Sequence, residues 1–441
     1  MTDRDLSTPG IMSRRNTSVW HYLIYLPLLV LWGLLVLWGA MEYRASVLIA
    51  TTIETRKVTG KPTNHVELTQ AVFDRSNQEG SRLWNQLIQQ SEFLRGAMMQ
   101  QELTIVSQFL NSPDVVDVAA LENVLVSGDS YLVHAQPIFL AIDELGMMPM
   151  PIWYPKASER IQYNSNAGAG LCNLIDLEIL IALKKHDRDR IIQGLERLLV
   201  LERLYPDLVF GWSFLHAQSR LKSRYMLLSK CLAVPGWTNE ELAILERLAR
   251  IEMDLSKLWQ NDIEHWMVGA LAAHSEPVGY HTDRTTAFLE KNVRMTPGWQ
   301  LDRIRWYEQL EQISFADPIR AVHELSGHAE RYEGPFPSSL EYAAFHLSDT
   351  ISLRSLVLSG LAIRRFKLVN QRWPTNLSEL IGKSISEVDL RLPNGLTVGF
   401  EQQELGPEIW LPRYPNPQLE LHTNESPAAV PVRSVSTPIR D

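Results

Sequence analysis

Cysteine is almost absent from this chain of 441 residues: Cys172 and Cys231 are its whole complement. Two are too few for a disulfide scaffold or a four-cysteine zinc site, which leaves either one Cys172–Cys231 bridge in an oxidising compartment or two separate buried thiols. Basic runs are missing too. No stretch of Lys and Arg exceeds a pair and the formal net charge is −9, which argues against a nucleic-acid-binding chain, whose footprint is a basic patch or stripe. A phosphate-cradling loop is also lacking. Gly168-Ala169-Gly170 opens like a dinucleotide loop, but no strand pattern precedes it and Asn173 stands where a third glycine belongs. No cofactor is implied.

What the chain does have is one long apolar run, Val19 to Met41, 23 residues without a charged side chain. As a helix rising about 1.5 Å per residue it spans roughly 34 Å, enough to cross a hydrocarbon core of about 30 Å. Trp20, Tyr22 and Tyr25 flank one end and Trp38 and Tyr43 the other, where amphipathic rings favour the headgroup region. Pro27 is tolerated inside a membrane helix. The run exceeds the apolar core of a cleavable signal, about 7–15 residues, and Trp38-Gly39-Ala40-Met41-Glu42-Tyr43 is a poor cleavage site. An uncleaved signal-anchor at 19–41 is therefore expected. Arg14 and Arg15 lie tight against it, whereas Arg44 is the only basic residue close on the far side, with Arg56 and Lys57 further on. Positive charge stays inside, so the expectation is a single-pass protein of the inner membrane with its C-terminal domain outside the cytoplasm.

The remainder divides by pattern. Residues 1–18 read as a disordered cytoplasmic tail and the Thr-rich 42–64 as a stalk. From 65 to 388 apolar residues recur at helical spacing, with a sub-boundary at 146–170 where a long loop interrupts them. Ile191, Leu195, Leu198 and Leu199 mark one stripe; Leu242, Leu245 and Leu248 mark another. Thr238 with Glu241 three residues later forms a capping box, and Asp317-Pro318 starts a further helix. Short connections predict antiparallel neighbours. At 389–412 the pattern alternates around Pro393-Asn394-Gly395, a hairpin signal. The Pro-, Ser- and Thr-rich 413–441 is expected to be disordered. The fold class is mainly α: a membrane helix, a multi-helix antiparallel bundle or solenoid-like domain, and a small C-terminal β-hairpin.

The run Leu356 to Leu380, LVLSGLAIRRFKLVNQRWPTNLSEL, resembles a segment recurrent in uncharacterised families of bacterial membrane-anchored, exported helical proteins. In those families a helix ends at an aromatic-Pro pair and a Leu-Ser-Glu-Leu turn follows. PGWTNEELAILERLA, Pro235 to Ala249, is similar to their core. The resemblance implies an all-helical exported domain with no established chemistry; the chain departs from it after Leu380, where those proteins continue into a glycine-rich β segment.

Candidate chemistry is sparse. His323-Glu324-Leu325-Ser326-Gly327-His328 resembles a zinc-protease helix, but its histidines are five apart. Five residues turn a helix by about 500°, placing the second imidazole roughly 140° from the first. His265, His274 and His281 are the distant residues that would complete such a site. Ser219 and Lys222 match a Ser-x-x-Lys pair without the companion motifs that give it meaning. Asp262, Glu264 and His265 share one helix, where neighbours in sequence do not face one another. The numerous tryptophans are expected to serve mostly as packing anchors. The function expected is a membrane-tethered extracytoplasmic interaction or scaffold protein with a protein partner in the envelope and no nucleic acid. The alternative is an envelope hydrolase, metal-dependent through His323, Glu324 and His328.

Overall fold

The computed structural model describes residues 16–94, 100–111, 116–149, 165–204, 213–272, 296–331, 337–382, 384–403, 406–412 and 433–439. The protein is mainly helical, with a long apolar helix at its N-terminus and a small antiparallel sheet near its C-terminus. It divides into two compact units: Met1–Asn64 with Met267–Trp306, and His65–Trp266 with Tyr307–Asp441.

The first unit is built on α1, Asn16–Val58. From Tyr25 to Met41 every residue is exposed, on all faces of the helix, and the first buried residue is Ala45, followed by Ile49. Helix α1 is long and apolar enough to cross a membrane. It does not give way to a stalk after Met41 but continues to Val58. The hydroxyls of Ser46, Thr51, Thr52, Thr55 and Thr59 donate to carbonyls one turn earlier, so threonines that read by composition as an unstructured linker lie on the helix surface instead. Glu42 accepts the Gly298 N–H at 2.7 Å, satisfying a free amide at the start of a helix.

In the second unit the helices are α2 (His65–Phe73), α3 (Gln78–Leu94), α4 (Gln100–Asn111), α5 (Val118–Gly146), α6 (Ser165–Lys185), α7 (Arg188–Glu202), α8 (Ser213–Cys231) and α9 (Asn239–Arg250). They continue as α10 (Leu255–Ala272), α11 (Pro297–Leu310), α12 (Pro318–Arg331), α13 (Pro337–Asn370) and α14 (Glu387–Leu390); parts of α10 and α11 belong to the first unit. The organising element is α6, which packs against α3, α4, α5, α7 and α8. Between Leu171 and Leu183 every residue except Asn173 is buried. It stops at His186, whose φ of 55° lets the next amide, Asp187, reach the Ala182 carbonyl at 2.9 Å. This is a left-handed helix ending. Asp187 then caps α7 by accepting from Arg190 N–H at 3.2 Å.

Glu241 and Thr238 close the expected capping box on α9, and Asp317 accepts from the Ile319 and Arg320 amides to start α12. Helix α13 packs on α8, α9 and α12 and supports the sheet. Two expectations need correction at the C-terminus. The Asn394-Gly395 turn forms, with Gly395 at φ 77° and a single bridge from Arg391 to Thr397. The strands, however, are β1 (Gly399–Gln403), β2 (Gly406–Pro412) and β3 (Arg433–Pro438), in the order β1-β2-β3. Ser386 and Asp389 cap one another at 387–390, which turns the segment before the Asn-Gly pair into α14. β3 falls in the stretch expected to be disordered, and pairing with β2 orders it; Ile439 beyond it is buried and donates to the Pro407 carbonyl at 3.0 Å.

Helix α7 lies close on α6 at Gly194, where an added Cβ would stand 2.5 Å from Ile179 Cγ1. Gly194→Ala is expected to lower stability by about 1–3 kcal/mol through overpacking, although alanine is the better helix former by about 1 kcal/mol. The melting midpoint measures it; a rise would show that the α6–α7 contact has room.

Candidate functional site

Because α6 is covered by five neighbouring helices, its two acids have to be met by bases from them. Asp176 lies 3.4 Å from Arg220 Nη1 on α8, which also donates to Asn173 at 3.0 Å. Glu178 takes two bonds at 3.1 Å from Arg197 on α7 and pairs with Arg190 at 3.4 Å. Arg197 reaches on to Asp143 of α5 with two bonds of 2.9 Å. Glu202 at the end of α7 pairs with Arg224 at 3.3 Å. Arg224 in turn donates to the Leu248 and Ile251 carbonyls, closing the C-terminus of α9.

Burial pushes the Asp176 carboxyl up to about 7, Arg220 pulling the other way and Glu202 adding to the rise. Burial raises Glu202 and Glu178 as well, against the pull of their arginines. Asp176 Oδ1, Glu202 Oε1 and both amide atoms of Gln218 are buried and take no hydrogen bond from the described residues. Asp176, Glu202 and Arg224 are almost wholly out of solvent, while Arg190 and Asp143 at the edge of the cluster are partly exposed. The cluster binds four helices together by charge.

The residues singled out by sequence are dispersed. On α12, His323 is exposed, Glu324 bonds Arg320 at 2.8 Å and His328 is half-buried. His265 does not face Asp262 or Glu264 as a partner. Its ring lies 5.0 Å from that of His65, and burial, with His65 nearby, pushes its pKa down to about 4. Asp262 is buried and accepts the Phe214 N–H at 2.9 Å, capping α8. No group of three or more His, Cys, Asp or Glu able to hold a metal occurs among the described residues; His274 and His281 lie outside them. Lys222 is drawn to Asp349 at 2.8 Å. Gly168-Ala169-Gly170 lies within α6, not in a loop.

Cys172 and Cys231 are buried on α6 and α8 and are not bridged to one another. Cys231 Sγ is turned to its own helix, 3.3 Å from the Leu227 carbonyl, and burial raises the thiol to about 12. Trp84, Trp237 and Trp259 are core anchors, the last two donating to the Cys231 and Leu310 carbonyls; Trp153 and Trp212 lie outside the described residues. One shallow depression of about 380 Å³ is lined by Arg250, Ser384, Ser386 and Asp389. Its carboxylate is occupied by Ser386, at 2.7 Å, and by Arg250 and Arg354.

The feature that sequence reasoning missed is the outward face of α5. Val126, Val133, Leu140 and Met147 stand seven residues apart and are 71%, 68%, 65% and 89% exposed. Seven residues nearly complete two helical turns, so the four form a single column. Helix α5 contains no Lys or Arg. Of its four acids, Glu122, Asp129 and Asp143, spaced seven and fourteen residues apart, are paired with Lys184, with Lys185 and Arg190, and with Arg197; Glu144 is exposed and has no ion pair among the described residues. The signal was present as a strict heptad. Apolar periodicity ordinarily marks a buried face, and here one apolar column points outward.

Comparison with known proteins places no relative beside this arrangement: no family model, curated protein or solved structure matches the chain.

Asp176 generates a pH test. Its carboxyl holds a proton more tightly folded than unfolded, so its contribution to stability is complete below about pH 4 and is lost as pH rises towards 7. Asp176→Asn is therefore expected to gain melting temperature relative to the unaltered protein between pH 5 and pH 8. A constant difference across that range would contradict the raised pKa.

Proposed function

We propose that this protein is a membrane-tethered helical interaction domain whose working surface is the outward face of α5. The observation that carries the reading is the exposed column Val126, Val133, Leu140 and Met147 on a helix otherwise locked in place. Exposed apolar side chains aligned on one helix face, here with Ser130, Pro137 and Glu144 in the intervening turns, suit an interaction site. Glu122, Asp129 and Asp143 beside it are answered by bases, and Glu144, between Leu140 and Met147, is left as an exposed carboxylate.

Helix α1 supplies the tether. Its exposed apolar turns end at Met41, and side chains begin to be covered at Ala45, which fits a span at 19–41 followed by folded protein. Arg14 and Arg15 favour an N-terminus in the cytoplasm, which puts the domain on the far side of a bacterial inner membrane. The resemblance of Leu356–Leu380 and Pro235–Ala249 to families of exported helical proteins agrees with that placement.

Two outcomes are expected in intact cells. Replacing Leu31 and Leu35 with Arg, each costing about 2.5–3.5 kcal/mol at a helix centre, shifts the protein from the alkali-resistant membrane fraction to the soluble one. Val133→Glu with Leu140→Glu lowers crosslinked partner recovery at least tenfold while the melting midpoint holds. Unchanged recovery would remove α5 as the working surface.

A further inference from the structure

We propose that His65, the first residue of α2, and His265, on α10, together bind a divalent transition-metal ion of the class that imidazole prefers, Zn2+ or Cu2+. Both residues belong to the second unit. Their ring centroids lie 5.0 Å apart with the planes inclined at 49°. A metal–imidazole bond of about 2.0–2.1 Å sets the ring centroid about 3.2 Å from the metal, so two imidazoles on one ion have centroids about 4.5 Å apart at a right angle and about 5.2 Å apart at a tetrahedral angle. The observed separation falls between the two, and one ion can therefore meet both rings with little movement.

Three further features set the pair apart from an ordinary ring contact. The His265 ring takes no hydrogen bond from the described residues, so its coordinating nitrogen has no competing partner there. Both side chains are half-buried, which leaves an ion a path from solvent and water a place in its coordination shell. The charges carried by the two helices favour a cation. Helix α2 has no Lys or Arg and places Glu67 in its first turn; α10 has no base after Lys257 but carries Asp262 and Glu264. Among the described residues no third His, Cys, Asp or Glu joins the pair, so water completes the coordination and the site is more open than a closed four-ligand structural one. Two nitrogen ligands select Cu2+ and Zn2+ over Mg2+ and Ca2+, which take oxygen. Because the ligands come from two helices, the bound ion ties the start of α2 to α10, and binding to the folded chain alone stabilises it by mass action.

The test uses the full chain in detergent, without a histidine tag. Electron paramagnetic resonance with one equivalent of Cu2+ is expected to show coupling to two imidazole nitrogens in the unaltered protein. Zn2+ affinity, measured by competition with a chromophoric chelator, is expected to fall at least tenfold in His65→Gln and equally in His265→Gln. His134→Gln, altering an exposed histidine of α5, is expected to leave it unchanged, and His265→Cys, which keeps a zinc ligand at the position, to restore it. Coupling to fewer than two nitrogens would overturn the proposal, and that measurement needs no variant to fold. Unchanged affinity in either Gln variant, or no recovery with His265→Cys when its metal-free melting midpoint holds, would overturn it as well.

Discussion

The structure depends on helix α6 being covered by neighbouring helices while carrying two carboxylates. An isolated charge in that setting costs several kcal/mol even after relaxation, so Asp176 and Glu178 dictate what stands opposite them. Arg220 comes from α8, and Arg190 and Arg197 from α7. The same bases reach outward to Asp129 and Asp143 on α5, so one set of arginines fixes the core and fastens its outer helix. Such pairs add little net stability compared with a well-packed apolar core. What they do well is set register: one-turn sliding of α5 or α7 would leave a carboxylate buried without its guanidinium.

That fastening explains the surface. With Glu122, Asp129 and Asp143 tied to bases of α6 and α7, the outward-facing turns of α5 are left with Val126, Val133, Leu140 and Met147 and one carboxylate, Glu144, without an ion pair among the described residues. Gly128 contributes on the inner side, where an added Cβ would stand 2.9 Å from Ile181 Cδ1 and α5 settles closely on α6. A rigid helix presenting an apolar column is a good docking element because little conformational freedom is lost on binding.

Much of this was legible in the sequence, and what was legible was local. The Thr238–Glu241 box, the Asp317 cap and the turn at Gly395 each depend on a few adjacent residues, and each forms. The exposed run in α1 ends at Met41, where its composition changes. Nonlocal features escaped. Leu171 to Leu183 showed acids inside an apolar run, but their partners lie 12 to 44 residues away. The threonines after Ala50 gave no sign that their hydroxyls bond back to the helix. β3 is a polar segment ordered by β2 across some 20 residues of chain, an effect its own composition does not encode. The histidines singled out by sequence are sorted by position: His323 faces solvent and His265 meets His65, a neighbour two hundred residues distant in sequence.

The central claim is that the outer face of α5 is covered when the protein is at work. Oxidative footprinting of side chains in native membranes, set against the same protein dispersed in detergent at high dilution, measures this directly, since methionine sulfoxide forms readily only where sulfur is accessible. The account predicts that Met147 and Leu140 are protected in the membrane and reactive when dispersed, while Val388, 70% exposed on α14, reacts equally in both. Equal reactivity of Met147 in the two states would contradict it.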